Sequence, residues 1–339
     1  MDGNSTFRHA RTSVLSVVAA EAPVVVSSAE LDEQLAPAYE RLGLRPGLLE
    51  GLAGIHERRW WPEGMTFVDG AVAAGAKALA QAGIDPSQIG LMINSSVSRA
   101  FLEPSTAVEI HHKLGLPPSA MNFDLANACL GFVNGIHIAA TMIDAGHIDY
   151  ALVVNGEDAQ EVQENTIKRL CAPTATTGDF FSEFATLTLG SGAAAMVLGR
   201  SDVHSEGHRV IGGVSRAGTE HHELCVGDVN RMRTDARGLM EAGLDLAEAA
   251  WQTADEFDWS SCDRFIIHQV SRVHTSALCE RLGIDQKKVP LSFPFFGNIG
   301  PASVPFTLAH EVDALMPGDR VLCMGIGSGL NTAFCEIIW

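Results

Sequence analysis

The sequence predicts an α/β protein built from two related halves, and three observations carry that prediction. Short Ile- and Val-rich runs alternate with longer helical stretches. The runs are apolar on successive residues, as in strands covered on both faces. The order of motifs in the first half recurs in the second, which is the mark of a duplicated unit.

In chain order, Arg8 and Arg11 precede the run Ser13–Ala20. Glu21 and Pro23 interrupt it, and it resumes as Val24-Val25-Val26. That is two strands and a turn rather than a cleaved signal peptide. An alanine-rich helix over 66–82 leads to the strand "IGLMINSSV" (89–97), then to a helix ending "KLGL" (113–116). "NFDLANACLGF" (122–132) carries a small-residue turn into helix 130–145, which is apolar nearly all round and so should be buried. The strand "YALVVNGE" (150–157) is followed by an insertion, 157–186, of mixed helix and loop with no counterpart later in the chain. "TLGSGAAAMVLG" (187–199) closes the half. The second half brings a helix over 238–254, the strand "DRFIIHQV" (263–270) and a helix ending "RLGI" (281–284). "GNIG" around Asn298 and the strands in "DRVLCMGIGSG" (319–329) and "MGIGSGLNTAFCEII" (324–338) complete it.

The two halves share landmarks. "VSR" closes a strand at 97–99 and at 270–272, and Asn127 follows the first at nearly the interval by which Asn298 follows the second. The boundary is expected in "RSDVHSEGH" (200–208), giving halves of 1–203 and 204–339.

Composition excludes several classes. The 339 residues are 46% hydrophobic and 19% charged with 33 Gly and 14 Pro, a globular balance with ample core. A net charge of −18 argues against nucleic acid and anionic membrane surfaces, and no apolar run is long enough to span a bilayer. The 7 cysteines lack CxxC or Cys/His ligand spacing, so neither a disulfide framework nor a metal site is expected. A cytoplasmic protein is expected.

The chemistry is sought at the seam between the halves. Cys129 ends the turn Ala126-Asn127-Ala128, either as a buried small hydrophobe or as a nucleophile on an elbow. In the second reading the N-terminus of the following helix lowers its thiol pKa, and the Cys129 N–H serves an oxyanion hole. His268 stands where Ser95 lies in the first half; it is either a satisfied core histidine or a donor to a thioester oxygen. Asn298 belongs either to a turn capping a helix at Ser303 or to the same donor set. Gly329, in "GIGSGL", permits close backbone approach and offers a second oxyanion N–H. "GIGSG" follows the last strand without a helix after it, so a nicotinamide site is rejected and no cofactor is expected.

With those residues in place the chain resembles the thiolase superfamily, and within it the ketoacyl synthase III branch, over essentially its whole length. "GIHERRW" (54–60), "NACLGF", "IIHQVSR" and "GNIGPAS" are similar to that branch's motifs. The resemblance implies a thiolase fold: duplicated βαβαβαββ halves in a five-layer αβαβα sandwich. It also implies a homodimer and Claisen condensation through acyl-Cys129, with His268 and Asn298 holding the enolate. "SSVSRAFLEPSTA" (95–107), "FDLANACLGFVNG" (123–135), "GNIGPASVP" (297–305) and "GIGSGLN" (325–331) resemble the OleA family more narrowly. Those enzymes join two fatty acyl-CoAs head to head at the start of long-chain olefin biosynthesis. Their β-keto acid passes to a reductase, a β-lactone synthetase and a decarboxylase.

Condensing two plain acyl thioesters requires a base for an α-carbon proton, whereas malonyl extension obtains its carbanion by losing CO₂. The resemblance assigns that base to Glu103, reaching into the partner subunit's site; the alternative is a carboxylate at the start of a helix. CoA enters as part of the substrate. The branch's tryptophan and arginine shortly before the element answering to "GIHERRW" are Leu48 and Leu52 here, and its His-Gln-Ala-Asn is His268-Gln269-Val270-Ser271, so the adenine contacts stay unassigned. Arg58, Arg59 and Arg272 are candidates for the CoA phosphates or for surface ion pairs. The competing readings are a decarboxylating 3-oxoacyl-carrier-protein synthase III and a catalytically silent scaffold of the same fold.

Overall fold

The computed structural model describes residues 3–228 and 230–339. The first part of the chain forms β1 (Ser5–Arg8), β2 (Thr12–Glu21), β3 (Val24–Ser27), α1 (Ser28–Gln34), α2 (Ala36–Leu42) and β4 (Glu57–Trp60). It continues through α3 (Phe67–Ala82), β5 (Leu91–Asn94), α4 (Thr106–Lys113), β6 (Met121–Asp124), α5 (Gly131–Asp144) and β7 (Tyr150–Glu157). Then come α6 (Gln160–Cys171), α7 (Thr177–Leu187) and β8 (Gly192–Arg200). The later part forms β9 (His208–Ala217), the hairpin β10 (Cys225–Gly227) and β11 (Met232–Thr234), α8 (Ala236–Gln252) and β12 (Arg264–Ile267). It ends with α9 (Arg272–Leu282), α10 (Phe293–Phe296), α11 (Ser303–Glu311), β13 (Arg320–Gly327) and β14 (Asn331–Ile338).

Ten strands are joined in the order β12-β13-β14-β9-β2-β8-β7-β5-β6, with β1 beside β9. Because β2 pairs with β8 along its length but with β9 only at Ser13 and Val14, the array bends there into two leaves. Alternation along the strands fills three apolar layers, since successive side chains point to opposite faces. In β7, Ala151 and Val153 join the central core with α5, whereas Leu152 and Val154 pack against α3. In β13, Val321 and Cys323 face that same central core while Leu322 and Met324 face α8 and α9. With α11 also central, through Val304 and Leu308, the layers are helix, sheet, helix, sheet, helix. This is the thiolase-type sandwich.

The repeat is visible in detail. Ser95 N, one residue past β5, donates to Val154 O at 2.9 Å; His268 N, one residue past β12, donates to Met324 O at 2.8 Å. Helices α4 and α9 are followed by left-handed glycines, Gly115 and Gly283. The halves differ where the first leaf has β6. The matching stretch of the second, around Pro290 and Pro294, forms no strand, because proline cannot donate to a ladder. The Gln269 side chain substitutes for the missing rungs: Nε2 donates to Pro290 O, and Oε1 accepts from Ser292 N at 3.0 Å. β1 lies in the second leaf although it begins the chain, and β3 pairs with β4 rather than with β2.

Buried histidines give the fold a pH limit. His137, on α5, holds Phe334 O at 3.0 Å, and burial pushes its imidazole down to about 3. Burial likewise takes His268 to about 3 and His274 to about 4. The native state resists protonation at these groups while the unfolded chain binds protons below about 6.5. Stability is therefore complete above that pH and falls as pH drops toward 4, by about 1.4 kcal/mol per pH unit for each such histidine. Denaturant melts at stepped pH should show this decline well before carboxylates titrate.

Candidate active site

The turn before α5 is built around a constrained residue. Ala128 has φ of 45°, a left-handed conformation that side chains larger than alanine make costly. Asn127 O accepts from Leu130 N at 3.0 Å and Ala128 O from Gly131 N at 3.2 Å, so the chain enters α5 directly after Cys129. No side chain caps that helix. Asn127 is held from both sides, donating to Asn134 Oδ1 at 2.7 Å and accepting from Asn331 Nδ2 at 3.2 Å.

Cys129 is partly exposed on this elbow. The expected lowering of its thiol pKa is not what the structure gives. Burial, then the Glu157 carboxylate, then the Cys225 thiol push it up to about 12, against a smaller lowering by a backbone N–H. Desolvation and a neighbouring negative group outweigh the helix terminus, whose influence is a fraction of a charge.

His268 is 4% exposed, yet its Nδ1 has no partner among the described residues. That is not a satisfied core histidine. Burial, with a smaller push from His274, keeps the ring neutral, so it carries a single N–H to donate.

Asn298 is fixed through its backbone: its N donates to Thr188 O and its O accepts from Gly190 N, both at 2.9 Å. Gly297 before it has φ of 68°, and a Cβ there would lie 2.8 Å from Thr188 O, so only glycine fits. Asn298 Oδ1 accepts from Gly300 N at 2.9 Å, which leaves the amide nitrogen as the free donor. Ser303 does not cap α11. It is the first helical residue, and its Oγ is buried without a partner among the described residues.

The turn between β13 and β14 lies on the elbow. A Cβ on Gly327 would meet Asn127 O at 2.7 Å, and Gly218 and Leu330 exchange backbone bonds of 2.9 and 3.0 Å around Gly329. Strand β13 thus runs from Met324, beside His268, to Gly327, beside the elbow. The carboxyl of Glu157 connects Asn298 to the same place, since a Cβ on Gly300 would lie 3.6 Å from Glu157 Cδ. Contacts thus lead from the Cys129 elbow to Gly327 on β13, the strand whose Met324 lies beside His268, and through Glu157 to the Gly300 turn that follows Asn298.

Glu103 does not join them within its own chain. It sits on a projecting loop beside Phe101 and Leu102, which are 65% and 102% exposed. Its alternative role is taken by Asp124, whose carboxylate accepts from Thr106 N and Ala107 N at the start of α4. Arg58 is neither a phosphate ligand nor a surface ion pair: it is fully buried, with Nε and Nη1 unpartnered among the described residues. Burial pushes its pKa down to about 10. Arg59 pairs with Glu57 at 2.6 Å and lies over Phe296; Arg272 stays exposed and donates to Gly51 O at 3.1 Å.

Two features escaped the sequence reading. One is Glu157, the only acid in an otherwise mostly apolar strand, which was a visible signal. The other is a clasp between the insertion and the β10–β11 hairpin, in which buried Glu183 on α7 pairs with Arg169 at 2.8 Å and Arg231 at 2.6 Å. Charge pairs so far apart in sequence leave no spacing pattern. A cleft of about 490 Å³ beside Trp60, Trp61 and Asp158 contains none of the candidate residues.

The 3-oxoacyl-[acyl-carrier-protein] synthase III family matches residues 123–217, and its C-terminal counterpart matches 253–339. The chain is 46% identical to an acyl-CoA:acyl-CoA alkyltransferase of Xanthomonas campestris, over 96% of this chain and 98% of that one. A β-ketoacyl-[acyl-carrier-protein] synthase III of Rhodospirillum rubrum is 28% identical over 86% of this chain and 90% of its own. The crystal structure of a cysteine-to-serine variant of Xanthomonas campestris OleA with bound lauric acid and lauroyl-CoA superposes with a TM-score of 0.95. It is 45% identical and covers 97% of this chain and 99% of that chain.

Proposed function

The chain belongs to the acyl-CoA:acyl-CoA alkyltransferase (OleA) family, and from that membership we propose that it joins two long-chain fatty acyl-CoAs by Claisen condensation without decarboxylation. The observation that carries this is the 46% identity, over nearly the whole chain, to an acyl-CoA:acyl-CoA alkyltransferase, against 28% to a synthase III.

The Cys129 sulfur attacks the first thioester, the Cys129 and Gly329 N–H groups hold the oxyanion, and CoA departs as thiol, taking up the proton that the Cys129 thiol gives up. The second acyl-CoA places its carbonyl oxygen between the His268 N–H and the Asn298 amide. A carboxylate takes an α-proton, the enolate carbon attacks acyl-Cys129, and the new C–C bond releases the sulfur. Hydrolysis of the remaining thioester yields a 2-alkyl-3-keto acid and the second CoA. No cofactor beyond substrate CoA enters this scheme.

The base is Glu103 of the partner subunit in a homodimer. Strand β6 is an edge strand, Met121 on it is 53% exposed, and the Glu103 loop presents Phe101 and Leu102 outward. Such an edge with apolar neighbours is a natural pairing surface. The enzyme acts in the cytoplasm and passes its product to the β-lactone synthetase and other enzymes of hydrocarbon biosynthesis.

Supplying one long-chain acyl-CoA with and without a malonyl thioester tests this. The β-keto acid should form from acyl-CoA alone; a strict need for malonyl thioester would establish the decarboxylating synthase instead. His268→Ala or Asn298→Ala should lower condensation by about a hundred- to a thousandfold, the usual result of losing one oxyanion donor. Cys129 acylation, followed by mass spectrometry, should suffer less.

A further inference from the structure

Among the described residues Glu157 is the one buried carboxylate beside Cys129, and the proposed condensation gives it no task. It ends β7, is 6% exposed, and pairs with no cation among the described residues. Its negative charge works against a thiolate, since it is the second-largest cause of the raised Cys129 thiol. A buried carboxylate without a counter-ion is costly unless donors satisfy it.

Four donors do so. Oε1 accepts from Val97 N at 2.7 Å and Asn155 Nδ2 at 3.2 Å; Oε2 accepts from Ser98 N at 2.9 Å and Ser98 Oγ at 2.6 Å. The location explains the pattern. The parallel β5–β7 ladder ends at Asn94 and Val154. Beyond it, side chains continue the pairing: Ser96 Oγ accepts from Gly156 N at 3.0 Å, and Ser98 Oγ accepts from Asp158 N at 3.0 Å. Glu157 is the last rung before residues 99–104 leave the sheet carrying Glu103. Its other side lies against Gly300, whose N–H holds Asn298 Oδ1.

We propose that Glu157 is a positioning residue for condensation, locking the root of the Glu103 loop to the Asn298–Gly300 turn. This rests on the reading that Glu103 serves the partner subunit's site. Glu157 then acts mainly on the neighbouring active site, although it sits beside its own thiol.

The test uses Glu157→Gln in the full-length dimer, with wild type alongside and lauroyl-CoA as substrate. Cys129 acylation should persist, with its pH profile displaced downward because one of the two thiol-facing groups, Glu157 and Cys225, has lost its charge. β-Keto acid formation and deuterium exchange at the α-carbon should fall about a hundredfold, the scale expected for an ångström of misplacement. Co-expression with Cys129→Ala under separate tags gives a mixed dimer whose only thiol-bearing site receives its Glu103 loop from a chain with intact Glu157. Condensation should return there. Unchanged condensation, equal losses of acylation and condensation, or a mixed dimer that stays inactive would each overturn the proposal. If Glu157→Gln does not fold, Ser98→Ala removes one anchor: a smaller, condensation-selective loss supports the proposal and its absence overturns it. A wild type that makes no product from lauroyl-CoA overturns the functional reading as well, whereas an active wild type with parallel losses overturns this inference alone.

Discussion

Cys129→Ala is expected to abolish condensation while leaving a folded protein that still binds acyl-CoA. Sulfur is exchanged for hydrogen at a partly exposed position, so the packing cost is small. The constrained turn at Ala128 and the clamp on Asn127 do not involve the thiol. In the proposed mechanism the chemical cost is the whole pathway, because every later step needs the acyl group on that sulfur. Losses on the order of a millionfold accompany removal of a nucleophile in comparable acyl-transfer sites. Intact-mass measurement after mixing with acyl-CoA should show an adduct on the wild type and none on the variant. An adduct on the variant would move the nucleophile elsewhere. Cys323 is a poor substitute, being fully buried where Cys129 is partly exposed.

Glu103→Gln should have a smaller but still large effect, confined to the second half-reaction. Gln keeps the shape of the exposed loop and removes the basicity. Acylation of Cys129 should proceed, since thiol attack on the first thioester makes no use of that carboxylate. Solvent deuterium exchange at the α-carbon and β-keto acid formation should both fall by about a thousandfold, within the usual range for losing a positioned base. Normal condensation in Glu103→Gln would remove the carboxylate from the mechanism.

Much of the architecture was legible because these strands are buried on both faces: continuous apolar runs such as "YALVVNGE" have little alternative to a central strand. The Cys129 elbow and the Asn298 turn were legible through the repeat, since matching spacings put matching turns after matching strands. The missing strand of the second half was harder to read, because a single glutamine side chain, Gln269, replaces what the prolines withhold. The thiol's pKa was misjudged because a helix terminus is visible in sequence, whereas the Glu157 charge beside Cys129 depends on how two distant strand ends meet. Arg58 read as a surface residue for the same reason, since its burial follows from the packing of β4 under the Gly190 and Gly297 turns. Glu103 had no local signature at all. It lies on an exposed loop ahead of a helix, the role proposed for it needs a second subunit, and only the resemblance pointed to it.

That dependence makes the mixed dimer of Glu103→Gln and Cys129→Ala chains the sharpest measurement. Each homodimer should be inactive in condensation. In the heterodimer, isolated through two tags, one site combines an intact Cys129 with an intact Glu103 from across the interface. That site should form β-keto acid from acyl-CoA alone, at up to half the wild-type rate per dimer. A purified heterodimer whose thiol is acylated but makes no β-keto acid would contradict a site shared between subunits, and with it the role of Glu103 as the base.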